Sequence, residues 1–526
     1  SWGQGNLGPW LNPGLRMNVT AGFNNVVARF DMPGFAGTWT VDFVRSGGVP
    51  NQTFLQVREQ IDDITTVTRS VTFDATAGTV ELAAVAGFPD TPVAAPQLYD
   101  DNPHHIRFTV AQDGADAELT LFIDGELVDT LVEITETVSV PIRAVINCED
   151  HDQIPFAVGH LAVWATPPPL ADAVDATFGH PGEPAGRRIE RLCAEQGIPF
   201  TSVGDLDDTT PMGAQGPRTP LELMAECADT DHGILYEPRA TLGLAYRTRA
   251  SLYKQTPALE LDYGDDVFFG LPEPVDDDQN TRNDVIAKRP HSGEARAVLE
   301  TGPLSVADPP AGVGTYDSSV TVNVAGDGFL SQHASWLLAL GTIDEARYPR
   351  LAFGLHTPPL VADAALAAAL AAADLGDLLT LSNLPAWLPP DDVAALAVGM
   401  TEVLDSFTWD LELVTEPASV YTVGVYASAA DPAGSKYDTD GCELASAIPA
   451  TGSFSVTTTR GPLWTADNAE DGFDIYVGGE RMTVTDIGAP SGSIQQFTVI
   501  RSVNGVVKPH PAGTPVRLWQ PARIAL

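Results

Sequence analysis

The residues of this chain best suited to chemistry are its carboxylates. Glu260-Leu261-Asp262 sets two of them close together, as a glycoside hydrolase needs for an acid and a nucleophile or base at fixed separation. Asp438-x-Asp440-Gly441 opens like a calcium loop, where oxygen ligands gather round a hard cation, but no distal Glu completes it. Asp276-Asp277-Asp278 and Asp207-Asp208 read as solvated loop charges. His104-His105 stand ahead of a strand and either can meet solvent; neighbours in extended backbone point to opposite faces, so both cannot chelate one ion. Cys148, Cys193, Cys227 and Cys442 form no C-x-x-C pair and show no metal-ligand spacing. Cys193 and Cys227 fall on apolar helical stripes, as core thiols do. The chain has no H-E-x-x-H, no G-x-S-x-G and no phosphate-binding glycine loop. Glu260 and Asp262 are better read as a strand end beside Tyr263 and Gly264. The expectation is therefore a protein that is not an enzyme, with no catalytic residue and no cofactor. Metal and glycan ligands stay unassigned, and calcium is the one cation that the acidic loops suggest.

Composition points the same way. Among 526 residues, 70 are acidic and 28 basic, a formal net charge of −42. Phosphate neutralisation needs clustered Lys and Arg, so nucleic acid is excluded as a partner, and anionic membranes are disfavoured. With 44% hydrophobic and 8% aromatic residues, the chain has material for cores despite its acidity. No run of 18 apolar residues occurs, so no membrane-spanning helix is expected. The chain opens at Ser1 without a charged and apolar leader, so no signal peptide is expected.

These residues must be positioned by elements that the sequence patterning outlines. Residues 1–170 read as all-β. Ile106, Phe108 and Val110 alternate with polar residues, as do Leu119, Leu121 and Ile123, and Asp124-Gly125 supplies a tight hairpin turn into Glu126–Val128. Asp42–Val44 after Trp39 and Val158–Trp164 read as further strands, which makes a two-sheet sandwich. After Thr166–Pro169 the pattern turns helical: Ile189, Leu192 and Cys193 share a face, and Gly197 ends the helix. Thr219, Pro220 and Glu222 form a capping box ahead of a stripe of Leu221, Met224, Ala225 and Ala228. Strands are expected at Ile234–Tyr236, Leu242–Arg247, Asp284–Lys288, Ser319–Val324, Leu378–Leu384, Trp409–Val414 and Tyr421–Tyr426. Helices are expected at Phe329–Leu340 and Ala362–Ala373, with a short one from Asp391-Asp392 to about Gly399. Residues 427–450 read as a linker. Beyond it, hairpins turn at Gly478-Gly479 and at Asn504-Gly505, the latter returning through Val506–Lys508, and Val516–Trp519 closes a small β-domain.

Two segments carry a family resemblance. His104–Val110 through Leu121–Gly125, with Gly159–Trp164, resembles the laminin-G/concanavalin-like jelly roll, which implies a glycan-binding or spacer role for residues 1–170. The second covers about residues 178–526. Gly186–Cys193, Met212–Gln215, Asp231–Tyr236, Tyr246–Arg249, Leu381–Pro385, Trp409–Leu411 and Arg501–Lys508 together resemble minor tail proteins of long-tailed phages infecting actinobacteria. The resemblance implies a tail-tip hub, a ring of three copies below the tail tube, with tail-tip and tail-tube proteins as partners. Such a hub normally has an N-terminal half, so that half lies outside this chain or the hub is partial.

The sequence-based reading is thus a multidomain, mainly β protein with an α+β centre: sandwich 1–170, hub-like α+β region 171–426, linker 427–450 and a small barrel-like β-domain 451–526. Its expected function is a structural one in the virion at the phage tail tip, in tail assembly and host attachment, with host cell-surface glycan as a partner of the jelly roll. The alternatives are a glycan or cell-wall hydrolase built on the sandwich, and a non-viral glycan-binding protein. Trp2, Trp10 and Trp39 could stack on sugar rings, though core packing is the stronger expectation in an all-β domain. Acidic copies brought together repel one another unless ions screen them. Thermal stability of the assembled protein should therefore rise with salt or divalent cations and fall on chelation; a melting temperature indifferent to both would contradict this.

Overall fold

The computed structural model describes residues 2–5, 14–17, 28–31, 37–47, 52–61, 65–74, 76–83, 91–100, 102–146, 156–239, 241–275, 278–290, 292–389, 391–424, 441–449, 452–466, 472–521 and 523–524. Strand outweighs helix, 41% to 18%, so the protein is mainly β with its helices in the middle region. The chain divides into two compact units, residues 1–183 with 211–223 and residues 184–210 with 224–526.

The first unit is built on two antiparallel sheets. One has seven strands, in the order Trp2–Gly5, Gly14–Met17, Phe156–Trp164, Trp39–Gly47, His104–Asp113, Asp116–Ile123, Glu126–Glu133. The other has six, Ala28–Asp31, Val140–Ile146, Gln52–Gln60, Thr66–Asp74, Thr79–Ala83, Val93–Ala94. Alternation drives this pairing. Trp39, Val41 and Phe43, with Ile106, Phe108 and Val110, turn to one core, which Leu55, Val57, Val71, Phe73 and Val80 share. The hairpin at Asp124-Gly125 forms as expected, both residues at positive φ (50° and 88°) as a primed turn requires. Trp39 is fully buried, so core packing holds there; Trp10 and the side chain of Trp2 lie outside the described residues.

A buried ionic network crosses this core. The Trp39 indole donates to Glu59 Oε1 at 2.6 Å, and Ser139 N donates to Glu59 Oε2 at 2.9 Å. Arg69 pairs with Glu59 through Nη1 and with Glu133 Oε2 through Nε at 2.8 Å. Arg45 is also fully buried, its guanidinium 5.6 and 5.7 Å from the Phe54 and Phe73 ring centres. Helix Leu170–Phe178, which the sequence reading missed, follows Pro169 and ends on Gly179 in the left-handed region at φ 75°.

The second unit carries the remaining sheets. Phe200–Val203, Leu244–Arg247 and Ile234–Tyr236 form one of three strands. A five-stranded sheet runs Leu259–Asp262, Leu378–Ser382, Val393–Leu404, Trp409–Pro417, Arg350–Gly354. Glu294–Val298, Asp284–Lys288 and Asp317–Thr321 make another, on which helix Leu330–Gly341 packs Leu330 and Ala334. The last sheet has six strands, Cys442–Leu444, Phe454–Thr458, Ile494–Ile500, Glu480–Ile487, Asp474–Val477, Val516–Leu518. Its outer strands meet at a Glu443–Pro515 bridge, which gives it barrel character.

Several expectations need correction. Residues from Asp391 to Gly399 do not form a helix; Val393–Leu404 is a strand paired on both sides near its start, and pairing with Leu378–Leu381 overrides the helical preference of its alanines. Gly399 sits at a bulge in that strand, where a Cβ would lie 3.2 Å from Val414 Cβ. Val506–Lys508 makes no return strand. Ser502 N donates to Glu480 Oε1, Val503 N donates to Arg481 O and Lys508 O accepts from Arg501, so main-chain groups that a hairpin would pair are engaged elsewhere. Tyr421 ends a short 3₁₀ turn, Ser419–Tyr421, and residues from 425 to 440 lie outside the described residues. The strand expected at Ser319–Val324 is Asp317–Thr321. The capping box is formed: Thr219 N and Oγ1 donate to Glu222 Oε2 at 2.9 and 2.7 Å. Its helix, Pro220–Asp231, buries Leu223, Met224, Cys227 and Ala228, whereas Leu221 is 64% exposed.

Arg69→Met should leave Glu59 and Glu133 buried without their cation and cost about 3–5 kcal/mol of the first unit's stability. Urea unfolding of the full chain, followed by tryptophan fluorescence in the parent and the variant, measures it.

Candidate functional site

The sites that the sequence singled out are placed as follows. Glu260 and Asp262 lie in strand Leu259–Asp262, as expected for a strand end. Asp262 caps the following turn through Gly264 N at 2.7 Å and accepts from Asn383, so it is committed to local structure. Asp207 forms a forked pair with Arg187 at 2.6 and 2.8 Å, at the surface. Asp438 and Asp440, Asp276 and Asp277, and Cys148 lie outside the described residues. Cys193, Cys227 and Cys442 are buried and stand outside any disulfide. Among the described residues, no three His, Cys, Asp or Glu side chains gather as a metal set.

His104 and His105 are corrected: they open strand His104–Asp113 instead of preceding it, and both are buried, 7% and 2% exposed. They do point to opposite faces. His104 Nδ1 lies 2.6 Å from Asp124 Oδ2 and Nε2 lies 2.8 Å from Asp100 Oδ1. The Asp124 bond raises the His104 pKa against the effect of burial, and His104 in turn draws Asp100 down to about 2. His105 Nε2 stands 3.4 Å from Asp42 Oδ1, on the other face. Asp42 also receives Arg107 as a fork, at 2.7 and 2.9 Å, and the Trp164 indole at 2.8 Å. Burial works to raise Asp42, but bonds from His105 and Arg107 prevail and keep it lowered. Arg107 donates onward to Pro168 O at 2.9 Å, which ties the chain leaving the sandwich to its outer face.

The densest cluster is in the second unit and was not anticipated. Asp231, 1% exposed at the end of helix Pro220–Asp231, accepts from Thr210 N at 2.8 Å, Thr210 Oγ1 at 2.9 Å, Tyr246 Oη at 2.7 Å and Arg249 Nη1 at 3.4 Å. Burial, then the Asp231 charge, pushes the Tyr246 phenol well above its usual range, so it stays a donor. His232 follows at φ 58°, its Nε2 3.2 Å from His333 Nδ1. Burial drives His232 down to about 3, helped by the neighbouring His333 and Arg249 charges, and His333 down to about 4, helped by Arg249. Both rings are therefore neutral at pH 7, one donating to the other. The barrel holds a third cluster: Glu480, fully buried, takes Arg501 as a fork at 2.7 Å twice, His510 Nε2 at 2.8 Å and Ser502 N at 2.9 Å. Sequence spacing carried no signal for these clusters, because their members are from 15 to 101 residues apart and meet only when helix ends, turns and strands are brought together by folding.

Chemically, these clusters hold segments together: Asp231 and Glu480 each accept from several donors that lie apart in the sequence. The neutral His232–His333 pair gives a pH dependence of definite sign. An unfolded His takes up a proton near pH 6.5, whereas the folded pair resists until about 4 and 3, so the stability they protect is full above 6.5 and lost as pH falls toward 4. A double variant His232→Asn and His333→Gln should flatten the fall of the urea midpoint between pH 7 and 4.5. Equal slopes in the variant and the parent would contradict it.

No protein-family model matches the chain, and no curated protein matches it. Among solved structures, the tail protein from Neisseria meningitidis MC58 is similar over 73% of this chain and 93% of its own, at 9% identity and a TM-score of 0.32. The native heptameric SAP-like pentraxin from Limulus polyphemus is similar over 30% of this chain and 78% of its own, at 14% identity and a TM-score of 0.23. Galectin LEC-6 from Caenorhabditis elegans is similar over 26% and 92%, at 13% identity and a TM-score of 0.19. These are weak likenesses, to one tail protein and to β-sandwich lectin folds, and scores this low carry no weight for function.

Proposed function

We propose that the chain is a structural component of a phage tail tip, a minor tail or hub protein serving tail assembly and host-cell attachment. One observation supports the reading above others. Several of the sequence segments that resemble phage minor tail proteins meet at the buried polar clusters. Asp231 opens one such segment and binds Tyr246 and Arg249 of another; Gly186 N, in a third, donates to Thr209 Oγ1 beside Thr210. Leu381 and Leu411 both lie in the five-stranded sheet, and Arg501 anchors Glu480. The resembling residues thus serve the architecture, as expected of a part whose work is mechanical.

On this reading the protein is not an enzyme. Its partners are copies of itself in a ring of three and the neighbouring tail-tip and tail-tube proteins, and its place is the virion. The sandwich offers a surface for host cell-surface glycan, and calcium remains a cation for its acidic loops to hold. Light scattering on the purified full chain should give a species three times the monomer mass; a stable monomer at micromolar concentration would overturn the hub assignment. Suspensions of host cell wall should stay turbid with the protein, since clearing would mean a hydrolase instead.

A further inference from the structure

We infer that the five-stranded sheet of the second unit is an acceptor for one further strand, supplied by an extended segment of another protein with alternating apolar and basic side chains. Strand Val393–Leu404 is paired on one side with Trp409–Pro417 along its length, but on the other with Leu378–Leu381 only as far as Leu396. Gly376 N and Asp377 O then take the main chain of Ala397. Beyond that point, among the described residues, no main-chain group pairs with the outer edge.

The antiparallel alternation identifies the open groups. Asp405 N donates to Thr408 O at the turn and Leu355 N donates to Trp409 O, so Val403 and Thr401 exchange bonds with Asp410 and Glu412. Met400, Glu402 and Leu404 therefore direct their N–H and C=O groups outward. Such an edge is a template for pairing unless it is short, covered or charged. Here the flanking side chains invite contact: Val403 is 53%, Leu404 70% and Phe407 89% exposed. The one gatekeeping charge on the strand, Glu402, is engaged from within, its Oε1 accepting from Arg239 Nη2 at 2.8 Å and the Trp409 indole at 2.6 Å.

Charge selects the occupant. From Thr401 to Asp410 the chain carries Glu402, Asp405 and Asp410 and no Lys or Arg, on a molecule of net charge −42. A second copy would bring like charge to the same edge, whereas a basic strand brings the opposite sign while its backbone fills the ladder. The inference needs only this sheet and stands whether or not the tail-tip reading does.

The test uses the full chain and a labelled, blocked Lys-Val-Lys-Val-Lys-Val-Lys peptide, against the same peptide with two adjacent D residues at its centre, which keeps the charge but breaks the regular strand. Fluorescence anisotropy should show the all-L peptide binding about tenfold tighter, the equivalent of one or two net main-chain hydrogen bonds. Leu404→Pro removes an outward N–H without touching the internal ladder and should abolish that preference. Hydrogen exchange of the parent protein should show Met400, Glu402 and Leu404 amides slowing only with the all-L peptide. Equal binding of the two peptides, or protection elsewhere, would overturn the inference by reducing it to attraction of charge.

Discussion

Positive charge is the scarce resource of this molecule, and where it is placed decides how the folded chain holds together. Lys occurs only at Lys254, Lys288, Lys436 and Lys508, so the basic residues are almost all arginines. The arginines that matter most are inside. Arg69 bridges Glu59 and Glu133, Arg107 locks Asp42, Arg249 meets Asp231 and Arg501 meets Glu480. A guanidinium suits this work because its planar fork matches a carboxylate and is less strongly hydrated than an ammonium. A buried ion pair contributes little net stability against an apolar replacement, but a carboxylate left alone there is strongly destabilising. Each cluster therefore makes one arrangement of its segments far better than any misaligned one.

The consequence reaches the surface. With several of its few bases drawn inward, the chain shows water an excess of carboxylates. The same bias shapes the open edge at Met400–Leu404, where Arg239 is engaged by Glu402. The histidines follow a parallel division. His104 lies between two carboxylates and favours its proton, whereas His232 and His333 face each other and Arg249 and refuse theirs.

Much of the fold was legible because strands and hairpins write themselves locally. A period of two marked Ile106–Val110 and Leu119–Ile123, Asp124-Gly125 demanded positive φ, and Thr219 with Glu222 spelled a helix start. Failures came where neighbours overrode local preference. Val393–Val398 is alanine-rich and helix-like by itself, yet it is a strand because two others await it. Val506–Lys508 has the residues of a strand, but Ser502 N, Val503 N and Lys508 O are bonded elsewhere. Leu221 looked like the helix's buried stripe, but the true stripe, through Leu223, Met224 and Cys227, is turned by the position of its partners.

The sequence by itself determined that this is a mainly β chain with a helical middle, and that its paired carboxylates at Glu260 and Asp262 were strand residues. Those conclusions rest on composition and on periods shorter than ten residues, which the chain carries in one dimension. The tertiary structure alone decided which charges are buried, that His104 and His105 are both enclosed, that Asp231 and Glu480 are hubs, and that one strand outruns its neighbour to leave an edge open. Burial and hydrogen-bond partnership are properties of what lies across the sheet, and only folding brings that residue near.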